Sequence, residues 1–297
     1  MSFASFNLTA TAIRKANAGK QFNREYASRQ LNALVHNFWA DGLAAMFSYL
    51  GYHGGWEKIQ RHVQISGAAD YFAKSLSASD RQFLEALLNN FTYFNDAALK
   101  SAALIRATTF DTFEEAARFA LGQIGVDASQ FQLNNPRLQE LLLLRKDTAL
   151  FATRAYRDDV FDTIIKNFAE LGQHPYSSAF VEQLQSELGN KTAWEAKRFA
   201  LTETGIAAEL AQAETYRRNG VGAKQWNATG VNTRETHLDL NGDIRPIDTP
   251  FNVGGSPADH PLDPDLPPEE LINCHCWLSP VVDENFAVDP NRIWEGQ

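Results

Sequence analysis

The chain has 297 residues, 44% of them hydrophobic and 21% charged, with a formal net charge of −9; that is globular composition with enough apolar material for a sizeable core, and it excludes a wholly disordered chain. Two cysteines, Cys274 and Cys276, are too few for a disulfide scaffold of the secreted kind. The N-terminus lacks a charged segment followed by an apolar run, and the longest aliphatic stretch, residues 141–144, is far too short to cross a bilayer, so the expected setting is cytosol-like, with no membrane partner.

Charge and punctuation divide the chain. Residues 231–297 carry thirteen acidic and three basic side chains, which disfavours chain-wide binding to a phosphate backbone. The first fifty residues are mildly basic, with Arg14, Lys15, Lys20, Arg24 and Arg29 against Glu25 and Asp41. That cluster reads as a solvated helix face, with nucleic acid or an acidic partner as the alternative contact. Of eleven prolines, only Pro136 and Pro175 precede residue 240. The fold class expected is therefore α+β: a mainly helical N-terminal body, residues 1–175, and a small loop-rich α+β module, residues 176–297.

In chain order, residues 51–57 read as a Gly-rich loop without the Lys-Ser/Thr ending of a phosphate loop. Ser79 and Gln82 have capping-box spacing ahead of a helical stripe from Phe83 to Ala98. Asp111 and Glu114 have the same spacing ahead of Phe113, Ala117, Ala120, Leu121 and Ile124, with Gly125 as the stop. Asn135-Pro136 reads as an N-cap and N1 pair, and the pattern continues to Gly172 and Pro175. Two helices are then expected, over 178–188 and 192–219, the second ending at Gly220. The twenty phenylalanines sit mostly on these stripes and read as core. Prolines stiffen a loop over 252–270 that wraps the module, and 283–297 reads as an acidic arm with an apolar Ile293-Trp294 anchor.

The last third carries an ordered set of short motifs. A helix contains Arg198, Thr202 and Glu203; a Trp-centred strand, KQWNATG, carries Trp226; Thr233-Arg234-x-x-His237 follows, then Gly242, a Pro/Asp-rich stretch, and Asn273-Cys274-His275-Cys276. This order resembles the C-terminal domain of the Mu F-like phage minor head proteins, over about 80 to 100 residues. Leu201 stands where that family usually has Arg, no acidic residue stands at 230–232, and His275 replaces an Arg. The resemblance implies a structural component of the virion, at the portal vertex or inner capsid, that assists head assembly and DNA packaging or release. It implies the portal protein, the major capsid protein and packaged phage DNA as partners, host cytoplasm as the place of assembly, and no catalysis. The competing expectations are an effector or toxin-like enzyme carried in the head, and a zinc-stapled DNA-binding module.

Asn-Cys-x-Cys beside Thr-Arg-x-x-His has its own chemistry. Zinc takes four ligands in a tetrahedron, and His237, Cys274 and Cys276 supply three, with His260 or Asp239 as the fourth. An extended backbone over 272–278 would put both sulfurs on one face and His275 on the other. A disulfide between them is not expected, because their Cα atoms would sit near or beyond the limit of about 7 Å. Two other readings stand beside zinc. One is a Cys–His nucleophile activated by His237, and the other is a pair of small buried cysteines in a module knitted by His237 and Arg234. Glu203 and Arg234 are the expected clamp between helix and module.

Overall fold

A computed structural model describes residues 21–52, 82, 86, 93–131, 152–164, 178–230 and 233–282. The chain is α+β, with long helices in front and a small sheet-containing C-terminal region. The elements are α1 (Glu25–Tyr52), α2 (Tyr93–Ile124), α3 (residues 152–164), α4 (Ser178–Arg218), β1 (Ala223–Asn227), α5 (Glu235–Leu238), β2 (Ile244–Pro246), β3 (Phe251–Val253), β4 (Ser256–Ala258), α6 (Pro268–Leu271) and β5 (Trp277–Val281). Strands β2, β1 and β5 form an antiparallel sheet in that order, and β3 pairs with β4. Pro280 and Pro246 lie in the outer strands, where a missing N–H costs no ladder bond. No described helix is long and apolar enough to cross a membrane. Ser79, the Asn135-Pro136 cap, the 283–297 arm, and Arg14, Lys15 and Lys20 lie outside the described residues.

The helices are longer than their sequence signals suggest. Asp111 does not cap a helix, because α2 runs unbroken from Tyr93. Thr112 returns its hydroxyl to the Thr108 carbonyl at 2.8 Å, and Glu114 pairs forward with Arg118 at 2.7 Å. The two helices expected over 178–188 and 192–219 are one, α4. Its Gly189 does not break it, since Leu184, Leu188 and Thr192 on either side are buried and Thr192 bonds back to the Leu188 carbonyl at 2.6 Å. The two stops are as expected. At Gly220 (φ 70°) the Val221 N–H reaches the Tyr216 carbonyl at 3.0 Å, and Gly125 (φ 74°) ends α2 through the same paired bonds.

Two compact units emerge from the contacts. One comprises residues 1–31, 106–143 and 198–297, and the other residues 32–105 and 144–197. The divisions fall inside α1, α2 and α4. The second unit, helical in its described residues, buries Val35, Trp39, Leu43, Tyr156, Val160, Leu184 and Leu188. There Trp39 stacks on Tyr156 at 4.3 Å, Tyr156 meets the Thr192 hydroxyl at 2.5 Å, and Lys191 reaches Asp159 at 2.7 Å.

The other unit is built round the second half of α4, which is buried almost continuously from Thr202 to Tyr216. A helix enclosed on all sides has no solvent face, so its polar side chains must find partners inside. Thr204 bonds to the Ala200 carbonyl at 2.7 Å, Gln212 to the Ala208 carbonyl at 3.2 Å, and Tyr216 to Gln123. Ile206, Ala213, Tyr216, Trp226, Phe251, Leu262, Cys274, Cys276 and Leu278 share one core. The stretch expected as a wrapping loop over 252–270 is more ordered than its prolines suggest. Gly254 and Gly255 (φ 56° and 94°) close β3 onto β4 in a two-residue turn that needs positive φ at both central positions. Pro268 then starts α6 from the N1 position.

Candidate metal centre

His237 sits on the single turn α5, with Arg234 as its N-cap residue. The two cysteines flank β5's approach. Cys274 follows α6, its N–H reaching the Leu271 carbonyl at 3.3 Å, and Cys276 immediately precedes β5. The strand starts at Trp277 and not at 272, because Asn273 takes a left-handed turn (φ 59°). The alternation nevertheless holds, with Cys274 and Cys276 buried and His275 exposed. Both sulfurs lie 3.4 Å from His237 Nδ1.

The other face of the ring is committed. His237 Nε2 stands 2.9 Å from Glu270 Oε2, which also accepts the Thr236 hydroxyl at 2.9 Å. Gly254 makes room for this carboxylate, since a Cβ there would come within 2.5 Å of Glu270 Oε1. With Nε2 donating to a carboxylate, Nδ1 is left as the lone-pair nitrogen facing the sulfurs. Trp226, wholly buried, meets the His237 ring edge-on at 5.5 Å. Its indole N–H has no oxygen or nitrogen acceptor and favours the Cys276 thiolate.

The two thiols share one proton. The hydrogen bond from Cys276 pulls Cys274 down against the effect of burial; the same hydrogen bond, with burial, pushes Cys276 up. His237, Cys274 and Cys276 thus form a group whose ligand atoms all lie within 4.8 Å of one another and which could hold a metal ion. The donor set fits zinc: at ordinary bond lengths a tetrahedral ion places sulfur and nitrogen about 3.6 Å apart, against 3.4 Å here. The carboxylate behind the histidine is the usual outer partner of a metal-bound imidazole.

No known family profile matches the chain, and no solved structure matches it. It is 27% identical over 293 residues, 94% of its own length and 93% of the relative's, to YqbB of Bacillus subtilis strain 168, a protein described as uncharacterized.

Neither residue expected as a fourth ligand joins the group. His260 is buried with Nδ1 turned to the Pro261 carbonyl at 2.8 Å, and Asp239 is exposed at the C-cap of α5. Arg234 gives its guanidinium to the Ile272 carbonyl instead of Glu203, so it clamps the cysteine loop directly. Glu203 itself is buried on α4. Thr202 bonds to the Arg198 carbonyl at 3.0 Å, and its oxygen accepts the Asn273 N–H at 3.4 Å. Thr233 meets the Thr229 hydroxyl at 3.0 Å, and Gly242 (φ 85°) donates to the Trp226 carbonyl at 2.8 Å.

Sequence reading missed Glu270, Glu209 and the role of Arg24. Pro268 followed by two acidic residues was the available signal for a helix start that places Glu270 in the first turn. Arg24, grouped above with a solvated face, is nine-tenths buried, with Nη1 3.9 Å from Glu209 Oε1 and Nη2 3.5 Å from the Cys276 carbonyl. Glu209 is fully buried and accepts the Leu278 N–H at 2.7 Å; burial pushes its carboxyl up to about 8, with Arg24 acting in the opposite direction.

Proposed function

We propose that this protein is a phage minor head component of the Mu F-like kind, working through protein surfaces at the portal vertex or inner capsid, with its C-terminal module cross-linked by a structural zinc on His237, Cys274 and Cys276. One observation carries the reading. The motif residues that make the sequence resemble that family are the ones that tie α4, α5 and the cysteine loop together: Thr202 to Asn273, Arg234 to Ile272, and His237 to both sulfurs. A motif set that serves as a staple suits a docking module, which needs a fixed shape more than reactive groups. Assembly then takes place in the host cytoplasm and the protein resides in the virion.

The test is capture of the purified full chain by portal, major capsid and scaffold proteins of the same phage, with zinc assayed on the same sample. Stoichiometric capture by portal or capsid protein, with about one zinc per chain that Cys274→Ser abolishes, is the expected result. No head partner at micromolar concentration overturns the head-protein reading, and a metal-free chain overturns the staple.

A second reading rests on the Glu270–His237–Cys274 alignment, which is also that of an activated thiol nucleophile with an orienting carboxylate. It requires a metal-free chain whose Cys274 is alkylated by iodoacetamide far faster than Cys276.

A further inference from the structure

Side chains near the cluster are engaged elsewhere. Glu270 Oε2 holds His237 Nε2 and the Thr236 hydroxyl, Glu209 Oε2 holds the Leu278 N–H while its Oε1 is turned to Arg24 without a hydrogen bond, and His260 faces the Pro261 carbonyl. Among the described residues three donors converge, and zinc takes four. Cys274 and its neighbour His275 form one wall of a cavity of about 440 Å³, whose other walls are residues 21–25 and Leu201. Arg24 lies in that wall. Its side chain is nine-tenths buried, and its Nη1 has no hydrogen-bond acceptor, Glu209 Oε1 being 3.9 Å away.

We propose that a metal held by His237, Cys274 and Cys276 keeps its fourth position for an exchangeable anionic donor of the carboxylate class, admitted through the cavity beside Cys274 and favoured by Arg24. This rests on the metal reading above. Two thiolates already neutralise a divalent ion, so the metal's charge alone selects weakly between water and an anion. The buried guanidinium adds that selection. An N–H removed from water without an acceptor is costly, and a carboxylate or similar anion satisfies it with a charge-assisted bond. Three protein ligands with one exchangeable position is also the arrangement of zinc sites that bind an external group, in contrast to closed four-ligand staples.

The experiment uses the full chain loaded with one equivalent of cobalt(II), whose visible absorption reports changes in its ligands, titrated with azide and with acetate at constant ionic strength. Saturable changes in the bands are expected with both anions. Arg24→Gln should keep cobalt stoichiometry and weaken anion binding about tenfold, the worth of one charge-assisted bond. Should that variant not fold, Leu201→Asp provides the second test. A carboxylate built into the cavity wall should give the anion-bound spectrum without added anion and abolish the titration. A stoichiometric cobalt chain whose bands neither anion moves overturns the exchangeable position and leaves the staple intact. A chain that binds no cobalt overturns the metal reading and this inference together.

Discussion

His237 presents different chemistry at its two ring nitrogens, and that difference gives Glu270 a measurable role. Nδ1 faces the sulfurs, while Nε2 is held by Glu270 at 2.9 Å, so the carboxylate fixes the tautomer and strengthens the imidazole as a donor. Glu270→Gln should lower metal affinity about 10- to 100-fold while leaving stoichiometry at one, measured by competition with a chromophoric chelator. An unchanged affinity would remove Glu270 from the site. Glu209 is testable by pH. Burial raises its carboxyl from 4.5 to about 8, so the fold prefers the protonated form. Its stabilising contribution is full below about 4.5 and is lost as pH rises through about 8. The melting temperature of Glu209→Gln should therefore fall less than that of the wild type between pH 5 and pH 8, and parallel curves would reject this account. The three candidate metal donors were legible in the sequence because cysteine and histidine are rare and chemically distinctive. Glu270 was not, because it lies 33 residues from His237 on a four-residue helix too short to show periodicity. Glu209 looked like one more polar position, and only the enclosure of α4 makes it buried.

Local signals located the elements well where backbone geometry demands a particular residue. Gly125 and Gly220 were readable as stops because a left-handed C′ position penalises any side chain with a Cβ. Signals for starts and breaks misled at Asp111 and Gly189, because buried neighbours on both sides outweigh a weak local preference. Gly189 is consequently a place where the chain can be improved. A Cβ there meets nothing within 4 Å, so Gly189→Ala should stabilise the protein by about 0.5–1 kcal/mol in urea denaturation. A destabilised variant would contradict an open helical site. Gly254 is the opposite case. Its φ of 56° and the 2.5 Å approach of Glu270 Oε1 to an added Cβ leave no room for a side chain. Gly254→Ala should cost about 1–2 kcal/mol of stability from backbone strain and, by displacing Glu270, weaken metal binding as well. Stability lost with metal affinity intact would uncouple the hairpin turn from the centre.

At the scale of the whole chain, a boundary between a helical front and a loop-rich back was the natural reading of where the prolines fall, but contacts divide the molecule differently. α1, α2 and α4 are each cut by the division, so residues 198–218 belong with the strands that follow them and residues 178–197 do not. Sequence composition cannot show this, because one uninterrupted helix carries no punctuation where its surroundings change. The acidic back is likewise less free than its charge suggests. Arg217 reaches Glu214, Asp248 and Asp259, and Asp263 accepts the N–H groups of Asp259 and Asp265. The three candidate metal donors and the Glu270 carboxylate all lie within residues 237–276 of one unit, so removing an ion bound there should act locally. After chelation, hydrogen exchange should quicken at amides of residues 233–282, where short strands and single-turn helices depend on the cross-link. Amides of residues 152–164 and 182–196 should keep their protection, since that unit is held by Trp39 on Tyr156 and Lys191 on Asp159. Equal loss in both units would mean that the ion stabilises the chain as one cooperative whole, and no change in either would mean that His237, Cys274 and Cys276 hold the module together by packing alone.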